Sequence, residues 1–175
     1  MMHATPQEIY ELRQGSSPLL ISMPHVGTRL PDDLMGAFSE VGLQVDDTDW
    51  HIAELYDFAA DLGASVIRPF HSRYVIDLNR PADGKSLYPG QNTTGLCPLT
   101  TFDNLPLYRS GREPDADEIA RRLQVYWHPY HAALQAESWL ADIRGRIVAE
   151  IDARGADVGT IGEYMTGARG GEAAA

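Results

Sequence analysis

Apolar and polar residues along this chain change period several times, and each change marks an element. "TPQEIYELRQG" carries the signals of a helix over residues 5–15: Thr5 as N-cap, Pro6 in the first turn, Glu8 completing a capping box and Gly15 as the stop. "PLLISM" is a short continuous apolar run, which predicts a buried strand. In "DWHIAELYDFAADLG", Ile52, Leu55, Tyr56, Ala59 and Leu62 recur at the spacing of one helical face, between Asp49 as N-cap and Gly63 as stop. "ASVIRPF" and "RYVIDL" predict two more strands. From Asn79 to Arg112, Pro, Gly, Asn and Thr dominate and no period survives, and such a long irregular stretch inside a domain usually carries function. "DADEIARRLQVYWHPYHAALQAESWLADI" predicts a long helix with Ile119, Leu123, Tyr126 or Trp127, Tyr130 and Leu134 along one side, kinked or split at Pro129. "RIVAEI" predicts a last strand, and beyond Gly155 a Gly- and Ala-rich tail has no apolar period.

Strands alternating with helices predict an α/β domain whose sheet is mixed or mostly parallel and flanked by helices. The expected organisation is one domain over residues 1–155 and a low-complexity tail over 156–175. In such folds sites collect where strands end, and His25, Asp49 and "DLNR" all fall at element ends.

Composition narrows the function classes. The chain has 175 residues, 43% of them hydrophobic and 22% charged, which suits a globular domain. A formal net charge of −11 argues against nucleic acid and anionic membrane surfaces as partners. No run approaches the roughly 20 apolar residues of a membrane helix, and the N-terminus lacks a secretory pattern, so a cytoplasmic location is expected. The single cysteine, Cys97, excludes an internal disulfide or a thiolate cluster, and no base lies near it in sequence.

Candidate chemistry sits in two stretches. In "SMPHVGTRLP", His25 stands at the end of a strand, before a glycine turn, where it is either a structural turn residue or a ligand presented to a cleft. Asp49 in "DTDWH" could be a plain helix cap or could join His25 on a divalent ion, with His51 two residues on. A histidine with a carboxylate suits zinc, which polarises carbonyls and activates water. In "SRYVIDLNRP", strand alternation places Arg73, Val75, Asp77 and Asn79 on one side, with Arg80 able to swing round at the strand end. Two guanidiniums near an amide make a carboxylate receptor, whereas Arg73 paired with Asp77 on a sheet face would need no ligand. His71, His128 and His131 fit surface or helix-face positions better than ligand positions, although the spacing of His128 and His131 puts both on one helix face and leaves a supporting role open.

"SMPHVGTRLP", "DTDWHIAELYDFA", "SRYVIDLNRP" and "YWHPYHAALQAE", in this order and spacing, resemble the N-formylglutamate amidohydrolase (deformylase) family over residues 5–155. That family is similar in turn to zinc carboxypeptidases and aspartoacylases, which share a D-x-N-R element. The resemblance implies a zinc-carboxypeptidase-like α/β fold and hydrolysis of N-formyl-L-glutamate to formate and L-glutamate, a step in histidine degradation. It implies a divalent metal, zinc first, with His25 and Asp49 as ligands and His51 as the substitute or supporting residue. It further implies a small-molecule N-acyl acidic amino acid as partner, held by Arg73, Asn79 and Arg80, with Asp77 orienting the arginines.

Two positions depart from the family pattern. The related carboxypeptidases carry a glutamate three residues after the first histidine, where Thr28 stands here. The family's third histidine falls in "EIDARG", where Arg154 occupies its place, and a guanidinium has no lone pair for a metal. No residue matches the family's general base; Glu163 lies in an unrelated context. The chain therefore reads as truncated relative to the family, and the alternative function is an inactive homologue that keeps a carboxylate-binding cleft. A strand at Ile147–Ile151 without its neighbour would expose a sheet edge and favour homo-oligomers.

Overall fold

The computed structural model describes residues 9–85 and 95–144. Within them lies a three-stranded sheet built from β1 (Tyr10–Arg13), β2 (Leu20–Ser22) and β3 (Ser65–Pro69), in the order β1-β3-β2. β3 is central, antiparallel to β1 and parallel to β2. The sheet is mixed, as expected, but among the described residues parallel pairing does not predominate. The expected strand at "RIVAEI", the edge at Ile147–Ile151, Arg154 and the tail over 156–175 lie outside the described residues.

Strand β1 replaces most of the expected first helix; residues 5–8 of that helix lie outside the described residues. In "YELR", Tyr10 and Leu12 are half-buried while Glu11 and Arg13 are exposed, the alternation of a strand covered on one face. Pairing with β3 then adds the Arg68–Glu11 ion pair at 2.7 Å, so tertiary contacts outweigh the helix signals around it. One face of the sheet carries Leu12, Ile67 and Ser22, and meets Tyr130: the Ser22 and Tyr130 hydroxyls lie 2.8 Å apart, and Tyr10 meets Tyr130 edge-on. The other face, with Val66 and Arg68, looks across a small cavity onto Ala53 and Tyr56.

The expected helix after Asp49 is shorter than its apolar pattern. It forms one turn as α2 (Ile52–Leu55), following α1 (Asp32–Met35), and then continues as a 3₁₀ turn over Asp57–Ala60. Its N-cap is His51, in the left-handed region at φ 64°, and not Asp49. Gly63, at φ 65°, supplies the stop.

"RYVIDL" is not a strand. Tyr74, Val75, Ile76 and Leu78 are all buried, so the run is enclosed on every side, and an apolar run without alternation does not define a strand. Its backbone turns repeatedly instead, with Val75 N–H donating to Ser72 O and Arg80 N–H to Asp77 O. The face assignment drawn from strand alternation therefore does not apply. The core continues through Phe38 stacked on Tyr108, with ring centroids 4.8 Å apart, and through Leu107.

The long helix forms as α3 (Ala116–Arg122), a π-helical turn over Leu123–Trp127, and α4 (His128–Arg144). Asp115 caps it by accepting from Glu118 N–H at 2.9 Å. Pro129 neither breaks the helix nor ends it. A proline ring collides with the carbonyl four residues earlier and lacks the N–H that would bond it, and a wider turn just before Pro129 relieves both problems. Arg122, Tyr126 and Tyr130 stay buried at intervals of four, a spacing the π turn supports better than 3.6.

Candidate functional site

Two parallel strands leave the sheet at the same end, and the site forms on their exits. β2 runs through Met23, whose N–H extends the ladder to Ile67 O at 3.0 Å, into Pro24 and His25. β3 runs through Phe70 into the buried turns of 71–80. The two exits are held against each other: Thr28 and Arg29 N–H both donate to Phe70 O, and Ser72 N–H donates to Arg29 O. Gly27 makes this approach feasible, since a Cβ there would stand 2.2 Å from His71 O.

The result is a continuous line of side chains. His25, 3% exposed, has Nε2 2.7 Å from Asp77 Oδ1, and its Nδ1 lies 3.6 Å from Asp49 Oδ2. Asp77 is fully buried; its Oδ2 accepts from Arg73 at 2.6 Å and its Oδ1 also accepts from Asn79 N–H at 2.9 Å. Burial alone would raise the Asp77 pKa, but the hydrogen bond and charge of His25, the Arg73 guanidinium and the Asn79 N–H overcome it and bring it down to about 2. Asp77 is therefore an anion, and Asp77 fixes the His25 ring with Nε2–H as the donor. Asp49 is tied to the same turn by its N–H donating to His25 O at 3.0 Å, and its carboxylate is partly open to solvent.

Arg73 is 2% exposed, and the ring of Phe102 covers its guanidinium at 4.8 Å. Phe102 N–H in turn donates to Asp47 Oδ2, joining the irregular 95–112 stretch to the Asp49 segment. Arg80 is mostly buried and donates through Nη1 to Asn79 O at 3.0 Å. His25, Asp49, Asp77, Arg73, Asn79 and Arg80 thus fall in one neighbourhood. His51 does not join it: the left-handed backbone turns it outward, its side chain is 80% exposed, and Nδ1 faces Glu54 at 3.3 Å.

Among the described residues no three His, Cys, Asp or Glu side chains cluster tightly enough to hold a metal ion. Cys97 is a core thiol, its Sγ against Val75 O, and burial pushes its pKa up to about 11. His131, placed by its sequence on a helix face, reaches the loop that follows Asp77: Nε2 donates to Leu78 O at 2.9 Å, and Trp127 Nε1 donates to Arg80 O at 2.9 Å. His128 is exposed. Neither Trp127 nor Phe102 stands out in the sequence. Both reach the site across the fold, and an aromatic at helical spacing looks like core.

The architecture is shared with solved structures. An N-formylglutamate amidohydrolase from Ralstonia eutropha superposes with a TM-score of 0.64 at 28% identity, over 78% of this chain and 53% of that one. A gene product of Agrobacterium tumefaciens, at 17% identity and TM-score 0.55 over 81% of this chain and 55% of that one, shares the fold. The chain belongs to the N-formylglutamate amidohydrolase family, whose model matches residues 17–155. It is 51% identical over 130 residues to N-formylglutamate deformylases of Pseudomonas putida and Pseudomonas aeruginosa, covering 74% of this chain. It spans about half the length of these curated relatives, 48% of each.

Proposed function

We propose that this chain serves the metal-dependent hydrolysis of N-formyl-L-glutamate to formate and L-glutamate, on a zinc-carboxypeptidase-like frame. The observation that carries this reading is the unbroken line Asp49–His25–Asp77–Arg73. A metal-binding histidine commonly donates its second ring N–H to a carboxylate, which fixes the ring and raises its basicity, and Asp77 stands in that relation to His25. The remaining nitrogen, Nδ1, faces Asp49 at 3.6 Å, too long for a strong hydrogen bond. Two donors at about 2.05 Å from a tetrahedral zinc would be about 3.3 Å apart, so the gap supports a shared ion with His25 and Asp49 as ligands. Such an ion supplies a polarised formyl carbonyl and an activated water.

The chain's own residues do the rest. Asn79 and Arg80, one and two residues beyond Leu78 in the same turn, receive the glutamate carboxylates. Arg73 is assigned a supporting part, because Asp77 and Phe102 already hold its guanidinium. His51 is assigned none. Neighbouring guanidiniums also fit an N-acyl acidic amino acid better than a neutral amide. No helix among the described residues is long and apolar enough to cross a membrane.

A second reading is favoured by the donor count: among the described residues no third His, Cys, Asp or Glu joins the two proposed ligands, and the family resemblance sets Arg154 where a third histidine is expected. A catalytic zinc normally has three protein ligands. In that reading the chain binds N-formyl-L-glutamate but turns it over slowly or not at all. Calorimetric titration of N-formyl-L-glutamate with zinc and with chelator, beside an assay of formate release, separates the two. Zinc-dependent binding with formate release supports the hydrolase, and binding without release supports the inactive homologue. Absence of both would remove the proposal.

A further inference from the structure

The π-helical turn sits where it can act on the substrate loop. Trp127 ends that turn and His131 follows four residues later on the same helix face, with their rings stacked at 3.7 Å between centroids. Each ring has one N–H aimed away from the helix, and each reaches a backbone carbonyl. Trp127 takes Arg80 O, and His131 takes Leu78 O, both at 2.9 Å. The two carbonyls flank Asn79. A carbonyl can only accept, so the His131 proton sits on Nε2, and burial, helped by the charge of nearby His128 and opposed by the Leu78 bond, holds its pKa below the usual histidine value.

We propose that Trp127 and His131 are positioning residues that clamp the Leu78–Arg80 backbone in the shape that receives the substrate carboxylates. The argument is one of register. One residue more per turn over Leu123–Trp127 rotates α4 by about 100° relative to an uninterrupted helix. Without that rotation Arg122 and Tyr126 could keep their buried places only if Trp127 and His131 turned away from the loop. The wide turn lets one helix do both: it keeps its apolar face in the core and presents two donors to the loop. Asp77 holds the loop from the other side through Asn79 N–H. Asn79 and Arg80 are thereby fixed between a carboxylate and two ring donors. The two ring donors bond neither His25 nor Asp49 nor Asp77, so removing one of them should act on ligand affinity and leave metal affinity alone.

The inference rests on the proposed carboxylate-binding role of Asn79 and Arg80, and the test keeps the two apart. Trp127→Phe and His131→Phe keep the stacked rings and remove one donor each; His131→Gln keeps a donor. Amide hydrogen exchange of the full chain is followed over residues 76–84, with residues 65–70 as the internal reference. N-formyl-L-glutamate and Co²⁺ affinities are measured beside it. Loss of one such hydrogen bond corresponds to roughly three- to tenfold in an equilibrium. The phenylalanine variants should show exchange faster by about that factor in 76–84 alone, ligand affinity weaker by a similar factor, and unchanged Co²⁺ affinity, with His131→Gln closer to the parent chain. Unchanged exchange in 76–84, faster exchange spread equally over both segments, or unchanged ligand affinity in a parent chain that binds overturns the clamp. A parent chain that does not bind N-formyl-L-glutamate overturns the carboxylate role instead, while the exchange data still decide whether the two rings hold the loop.

Discussion

Replacing Asp77 by asparagine removes one charge from the centre of the site and leaves its shape. Asp77 is fully buried and its partner Arg73 is 2% exposed, so the guanidinium would lose this buried counter-ion. Removing one member of a buried pair costs about 3–5 kcal/mol, and the new amide NH₂ must also face a donor on His25 or Arg73. The Asp77 pKa falls from 3.8 to about 2 on folding, a little under two units, which is worth about 2 kcal/mol. A depressed carboxyl pKa contributes stability that is fully present above about pH 4 and is lost as pH falls through about 2. Urea unfolding of parent and Asp77→Asn in the presence of chelator should therefore differ by about 3–5 kcal/mol at pH 7. The difference should narrow by about 2 kcal/mol as pH approaches 2, because groups common to both chains cancel. A variant within about 1 kcal/mol of the parent at pH 7 refutes the buried-pair account. A difference that stays constant down to low pH refutes the assignment of the charge to Asp77.

Three further outcomes follow from the geometry. Gly27→Ala should lower stability by at least about 2 kcal/mol in urea unfolding, because its Cβ meets His71 backbone and not a movable side chain. Gly36→Ala, with nothing within 4 Å, should change it by less than about 0.5 kcal/mol, and equal effects would show that the approach at Gly27 is looser than described. His25→Ala should abolish Co²⁺ uptake followed by absorbance, whereas His51→Ala, at an 80% exposed side chain, should leave it unchanged; loss in both would return His51 to the site. Cys97, with its pKa near 11, should resist iodoacetamide at pH 8 in the folded chain and react readily in urea, and rapid labelling of the folded chain would contradict its burial.

What the sequence discloses and what it hides follow from different ranges of interaction. β3 and the long helix are legible because their signals are local: an apolar run in "ASVIRPF" and a sustained helical period. β1 is hidden because its state is decided by β3, more than fifty residues away, and the Glu11–Arg68 pair that rewards the strand is invisible in the local pattern. The turns of 71–80 are hidden for the converse reason. A segment enclosed on all sides has no polar face, so "RYVIDL" offers no period to separate a strand from buried turns. The candidate site inherits both limits. Its residue types stand out, because His25, Asp49, Asp77 and the arginines are costly to bury without partners. Their pairing does not: alternation would set Arg73 and Asp77 side by side on a strand, whereas turns bring them together and still leave Asp77 an oxygen for His25. The two parallel exits supply what no single stretch encodes, a carboxylate from one strand's turns delivered to the imidazole of the other. His25 is then held from behind by Asp77, with its second nitrogen turned toward Asp49.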